Sequence, residues 1–256
     1  MPSQTLNKTR LNIIDELRGA AVILMIIYHA LYDLNVIFNL PLAFLFSPLM
    51  DLFRNCFISG PFIFIAGISA NLSRNSLKRG ITAFCLGLAL TAATFIIAPS
   101  QLILFGILHM LGLSMIITHF LKPLLNKLPP KSGAAASAVL FFVLYGIPYR
   151  YIGLGSLLKI KLPDFLYSTN YPFPLGVHTS DFISSDYYPL LPWIFLFFAG
   201  FYTGRYLTGA KLPELFYRSR SKAIGWIGRH SMIIYLAHQP LLLALLYILF
   251  KIIRQT

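Results

Sequence analysis

Residues 80–121, GITAFCLGLALTAATFIIAPSQLILFGILHMLGLSMIITHFL, form a run of 42 amino acids without one aspartate, glutamate, lysine or arginine. A membrane-spanning helix needs about 20 mostly apolar residues, so this run holds two, and Pro99-Ser100-Gln101 supplies the turn between them. Working outward, further charge-free runs lie at 19–32, 55–73, 132–149, 187–204 and 230–250, and the first continues past Asp33 to Phe38. Seven spans follow, at 19–38, 55–72, 81–98, 102–121, 133–148, 189–207 and 231–250, with one long connection, 149–188, rich in Tyr, Pro, Ser and Asp. A membrane β-barrel requires apolar–polar alternation, and Ile103-Leu104-Phe105 or Leu241-Leu242-Leu243 does not alternate. The expected fold is all-α: a single polytopic bundle over residues 1–256 with the lipid bilayer as its solvent.

Composition agrees. Hydrophobic residues make up 57% of the chain and charged residues 11%, against about 25% charged in a soluble domain. Mean hydropathy is +0.72. The net charge of +13 does not point to nucleic acid, because the cations are sorted by segment. Fifteen of the 21 basic residues fall before span 1, between spans 2 and 3, 4 and 5, and 6 and 7, counting Arg205 at the end of span 6. Asp33, Asp51, Asp164, Asp181 and Asp186 fall on the other side. This bias places the N-terminus in the cytoplasm. The first apolar segment is longer than the ~7–15 residues of a signal-peptide core, and it reads as retained. Cys56 and Cys85 lie in spans 2 and 3 and suggest packing, with no metal pattern.

Charge inside a membrane is costly and marks candidate sites. At about 100° per residue, Asp15, Arg18, His29 and Asp33 share one face of the first helix. Arg18 and His29 are separated by roughly 16 Å of rise. His29 and Asp33 are four residues apart, a spacing at which a carboxylate can orient an imidazole as a general base. His109 is expected mid-span in the fourth helix, where polar packing and a site role are equal readings. His238 precedes Gln239-Pro240, where the proline is expected to kink or unwind the last helix, and Gly60-Pro61 gives the second span a similar break. No lysine lies between 231 and 250 to form a retinal Schiff base, and the zinc-protease, nucleophile-elbow and phosphate-loop motifs are missing from the sequence.

Three stretches then carry a resemblance: residues 10–25, RLNIIDELRGAAVILM; Ser185-Asp186 through Pro192-Trp193 to Gly204-Arg205; and Gly228-Arg229-His230-Ser231 through His238-Gln239-Pro240. In this order they resemble the catalytic-domain family of heparan-α-glucosaminide N-acetyltransferase, in its bacterial branch. The resemblance implies transfer of an acetyl group from cytoplasmic acetyl-CoA to a sugar or related envelope acceptor across a bacterial inner membrane. It implies His29 as base with Asp33 orienting it. Arg18, Arg74, Lys78, Arg79 and His109 are the expected donor-binding residues, and Asp186, Tyr187, Trp193 and His238 the expected acceptor-binding residues. The animal enzyme of the family has a catalytic histidine after its first helix. Residues 39–54 here contain none, and His29 falls where that enzyme carries an asparagine; either a histidine mechanism survives with a different residue or this branch works differently. The alternative is a transporter or flippase using the Arg18/His29/Asp33 stripe as a proton or substrate path, although no internal repeat of the kind common in transporters is visible.

Overall fold

The structure, a computed structural model, describes residues 10–73, 75–155 and 158–253. In chain order it contains α1 (Asn12–Val36), α2 (Pro48–Phe53), a π-helical stretch (Arg54–Ser59), α3 (Gly60–Leu72), α4 (Ser76–Ile97), α5 (Ile107–Leu125) and α6 (Pro130–Leu144). A two-stranded antiparallel hairpin, β1 (Tyr151–Leu154) and β2 (Leu158–Lys161), precedes α7 (Leu190–Gly209), α8 (Lys222–Arg229) and α9 (Ser231–Ile253). Seven helices are long and apolar enough to cross a membrane, with α2, the π stretch and α3 forming one of them. Large apolar side chains stand outside throughout; Ile96 and Ile97 of α4 are 77% and 81% exposed. Only a hydrocarbon solvent makes such surface stable, so the chain is an integral membrane protein.

The seven expected spans are all present, with three local differences. The π stretch ends just before Gly60-Pro61. Pro61 has no N–H for the carbonyl four residues back, and a wider turn in front of it accommodates the missing bond. Pro240, by contrast, neither breaks nor unwinds α9, which runs on to Ile253; a transmembrane helix tolerates the lost bond. The 149–188 connection contains the hairpin, paired Tyr151↔Lys161 to Leu154↔Leu158.

The chain divides into two compact units, one comprising residues up to Phe62 and from Lys211 onward, the other Ile63–Ala210. In the first unit, α8 lies against the first turns of α1 with their backbones nearly touching. A Cβ on Gly228 would stand 1.8 Å from the Asp15 carbonyl oxygen, and one on Gly19 would stand 2.1 Å from that of Ile224. Polar groups of α1 fasten the segment leading into α8. Asn12 Nδ2 donates to the Tyr217 carbonyl at 2.6 Å. Glu16 Oε1 accepts from the Arg220 and Ser221 backbone N–H groups at 2.6 and 2.9 Å and from the Ser219 hydroxyl at 3.1 Å. Asp15, 7% exposed, pairs with Arg10 at 2.8 Å and with Arg18 at 3.7 Å. Val22, Met25 and Ile58 form the apolar core above this latch.

In the second unit, small residues let the helices approach closely. Gly67 of α3 and Gly200 of α7 meet reciprocally, each potential Cβ 2.0 Å from a carbonyl oxygen of the other helix. Trp193 of α7, 6% exposed, is enclosed by Phe141, Tyr145 and Tyr188 at ring distances of 5.4, 6.3 and 5.4 Å.

Candidate functional site

The first unit gathers titratable groups where α1 and α9 face each other. His29 on α1 and His238 on α9 stand edge to face, ring centroids 4.8 Å apart, and His238 is buried. His29 Nδ1 lies 2.9 Å from the Met25 carbonyl oxygen, one turn back. A carbonyl can only accept, so Nδ1 carries the proton and Nε2 presents the lone pair. His238 Nδ1 meets the Tyr235 carbonyl in the same way, which puts its lone pair on Nε2 as well. Two imidazoles in the base-competent tautomer thus sit together between apolar helices.

Asp33, 1% exposed, is in this cluster but does not orient His29. Gln239 Nε2 donates to both of its carboxylate oxygens, at 2.8 and 3.0 Å. The i, i+4 spacing on α1 is therefore not used as the sequence suggested: His29 donates to its own helix, and Asp33 ties α1 to α9. Tyr28 and Tyr32 stack along the same helix at 6.5 Å. Arg54, from the π stretch, donates to the Tyr28 hydroxyl at 3.4 Å and pairs with Asp51 at 3.0 Å. Sequence reading places Arg54 in an outer segment, just before the span at 55–72, whereas it lies inside the helical span Pro48–Leu72; Gln239 is singled out there only with the proline that follows it.

Arg18, expected as a donor-binding residue, packs within the first unit. Its side chain is 13% exposed, held by Asp15 and by a 3.5 Å contact from Nη1 to the Gly228 carbonyl. Its place is in the α1–α8 latch.

His109 also differs from expectation. It sits in the first turn of α5, not mid-span, because residues 102–106 are tied outside the helix: Leu104 N–H donates to the Ser184 hydroxyl, and Tyr188 N–H to the Phe105 carbonyl. The Gly106 N–H donates to His109 Nδ1 at 3.2 Å, so here Nε2 carries the proton, facing Thr91 Oγ1 at 3.4 Å. The Thr91 hydroxyl in turn donates to the Ile103 carbonyl at 2.6 Å. Both ring nitrogens are committed and the side chain is 2% exposed: His109 builds the helix start. Asp186 belongs to the same structure, accepting from the Ile107 N–H at 3.2 Å. The carboxylate satisfies one of the helix's unpaired first-turn donors. Tyr187 donates its hydroxyl to the Phe173 carbonyl and packs on His178 and Phe182. Burial raises its phenol above the ordinary value. Trp193, expected as an acceptor-binding residue, is enclosed in the aromatic core.

Arg74 lies outside the described residues. Lys78 and Arg79 are exposed in the first turn of α4, whose start is capped by Asn75 Oδ1 on the Lys78 N–H. In the same unit a cavity of about 500 Å³ opens among Ser73, Ser76, Thr118, His119, Lys122 and Asn126, with Phe201 on its wall. Ser76 Oγ is buried with no hydrogen-bond partner among the described residues. Sequence reading missed this cavity, since its lining comes from the ends of separate helices. Among the described residues no group of three or more potential ligands is arranged to hold a metal ion.

A family model described as heparan-alpha-glucosaminide N-acetyltransferase, catalytic, matches residues 10–240. No curated protein and no solved structure matches the chain.

Proposed function

The chain belongs to the heparan-α-glucosaminide N-acetyltransferase catalytic family, a family of transmembrane acetyltransferases, and from that premise we propose that it moves an acetyl group from cytoplasmic acetyl-CoA to a sugar or related envelope acceptor on the outer side of a bacterial inner membrane. The N-terminus is cytoplasmic in this reading, as the sorted basic residues require. The observation that carries the chemistry is the His29 hydrogen bond to the Met25 carbonyl, which leaves Nε2 as a proton acceptor beside His238.

His29 Nε2 takes the proton of the acceptor O–H or N–H as that atom attacks the thioester carbonyl. A C–O or C–N bond forms, the tetrahedral intermediate collapses, and the C–S bond breaks. The imidazolium returns its proton to the departing sulfur, so CoA leaves as the thiol and His29 is regenerated. His238 holds the acceptor against His29. Within the second unit, the 500 Å³ cavity brings together the Lys122 cation and the unsatisfied Ser76 hydroxyl, groups of the kind that hold a phosphate.

The test is transfer from radiolabelled acetyl-CoA by purified protein in liposomes, supplied with an envelope extract. Wild type is expected to label an acceptor, and a folded His29→Ala variant to lose at least a hundredfold of that rate, the lower range of general-base contributions. Equal rates would remove His29 from the chemistry. No transfer by wild type would leave the family membership without this activity.

A further inference from the structure

The Asp33–Gln239 pair does more than join two helices. Gln239 Nε2 reaches both oxygens of Asp33, and turning the amide over would set its carbonyl oxygen against a carboxylate. The orientation is therefore fixed. The consequence falls on the other end of the amide: Gln239 Oε1 is buried and has no hydrogen-bond partner among the described residues. An acceptor left unsatisfied away from water is unfavourable, and in a membrane no solvent hydrogen bond can replace the missing one. The oxygen belongs to the residue next to His238, whose ring faces His29.

We propose that Gln239 is an acceptor-binding residue of the transfer reaction, its fixed carbonyl oxygen taking a hydrogen bond from an O–H or N–H of the incoming acceptor, and that Asp33 is a positioning residue acting through it. The inference rests on the reading of His29 as the base. It changes the role of Asp33: the carboxylate sets the direction of an amide, not the tautomer of a histidine. It also makes the face of α9 formed by His238 and Gln239 an acceptor-reading surface. A nucleophile that offers hydrogens to both residues is held by two directional contacts while His29 removes the reacting proton.

The experiment measures KM for acceptor and donor separately, in liposomes. Labelled acetyl-CoA is the donor; methyl glucosaminide, a primary amine, and methyl glucoside, a hydroxyl acceptor, are the probes. Gln239→Leu is expected to raise the acceptor KM about tenfold, equivalent to about 1.4 kcal/mol, with the donor KM within twofold of wild type. Asp33→Leu, which frees the amide to rotate, is expected to raise it similarly. Asp33→Asn, whose amide can pair with either end of Gln239 and so no longer fixes its direction alone, is expected to raise the acceptor KM less than Asp33→Leu does, and a thermal midpoint close to wild type in all three variants guards against an effect of misfolding. An unchanged acceptor KM in Gln239→Leu would overturn the proposal and leave that oxygen to ordered water. Equal rises in donor and acceptor KM would overturn it as well, by making Gln239 structural. Transfer by wild type to neither probe would fail the acyltransferase reading itself, a result distinct from either.

Discussion

Replacing Gly228 by alanine tests the packing on which the first unit depends. The new Cβ would lie 1.8 Å from the Asp15 carbonyl oxygen, 2.8 Å from its carbon and 2.9 Å from the Gly19 nitrogen, where ordinary contact begins at 3.4 Å. All three neighbours are backbone atoms of α1, so no side chain can swing aside, and α8 has to retreat by more than 1 Å. Overpacking of this kind costs about 1–3 kcal/mol. Retreat also stretches the Glu16 bonds to Arg220 and Ser221 and the Asn12 bond to Tyr217, each worth about 0.5–1.5 kcal/mol. A total near 3 kcal/mol is reasonable if the two effects partly replace one another. At roughly 2–4 °C per kcal/mol for a chain of this size, the thermal midpoint falls by about 6–12 °C. The assay is size-exclusion of detergent-solubilised protein after heating at fixed times, which compares variants even where unfolding is irreversible. Gly209→Ala is the control: nothing lies within 4 Å of its potential Cβ, and it should be neutral or slightly stabilising. A Gly228→Ala midpoint within 2 °C of wild type, or equal to that of Gly209→Ala, would refute the close approach of α8 and α1.

Two further outcomes follow from the second unit. Asp186→Ala removes the acceptor for the Ile107 N–H; it should lower the thermal midpoint by the few degrees expected of a lost helix cap, about 0.5–2 kcal/mol, while the acceptor KM holds. A raised acceptor KM at unchanged midpoint would restore Asp186 to the acceptor site. Lys122→Ala, in the wall of the 500 Å³ cavity, should weaken binding of adenosine 3′,5′-bisphosphate to the purified protein about tenfold or more, the scale of a charge-assisted contact, and flatten its salt dependence. Unchanged binding would show that this cavity does not hold phosphate.

The spans were readable because hydropathy is a local property. Their ends were less so. Counting charge-free residues starts the first span at residue 19, whereas α1 begins at Asn12. Its first turns carry Asp15, Glu16 and Arg18, whose partners are Arg10 nearby and residues 219–228 far along the chain. A polar face satisfied by distant backbone looks, in one sequence, like a face prepared for a ligand. The hairpin had a local signal in the alternation Leu158-Lys159-Ile160-Lys161, which a search for twenty-residue apolar runs passes over.

His29 and His109 show what governs the rest. Both are single histidines in apolar segments, told apart in the sequence only by the charged residues that share the helix face of His29. Their difference is the part of the helix each occupies. In the first turn the unpaired backbone groups are N–H donors, so His109 accepts through Nδ1 and must carry its proton on Nε2. In the middle of α1 the nearby backbone group with capacity to spare is a carbonyl, which has a second lone pair; His29 therefore donates through Nδ1 and keeps a basic Nε2. Moving the start of α5 from 102 to Ile107 is what turns His109 from a mid-span candidate into a helix-building residue. His238, three residues beyond the carbonyl it meets in α9, falls on the same side of this division as His29. What separates these imidazoles is the direction of one backbone hydrogen bond, and helix boundaries, more than residue spacing, determine it.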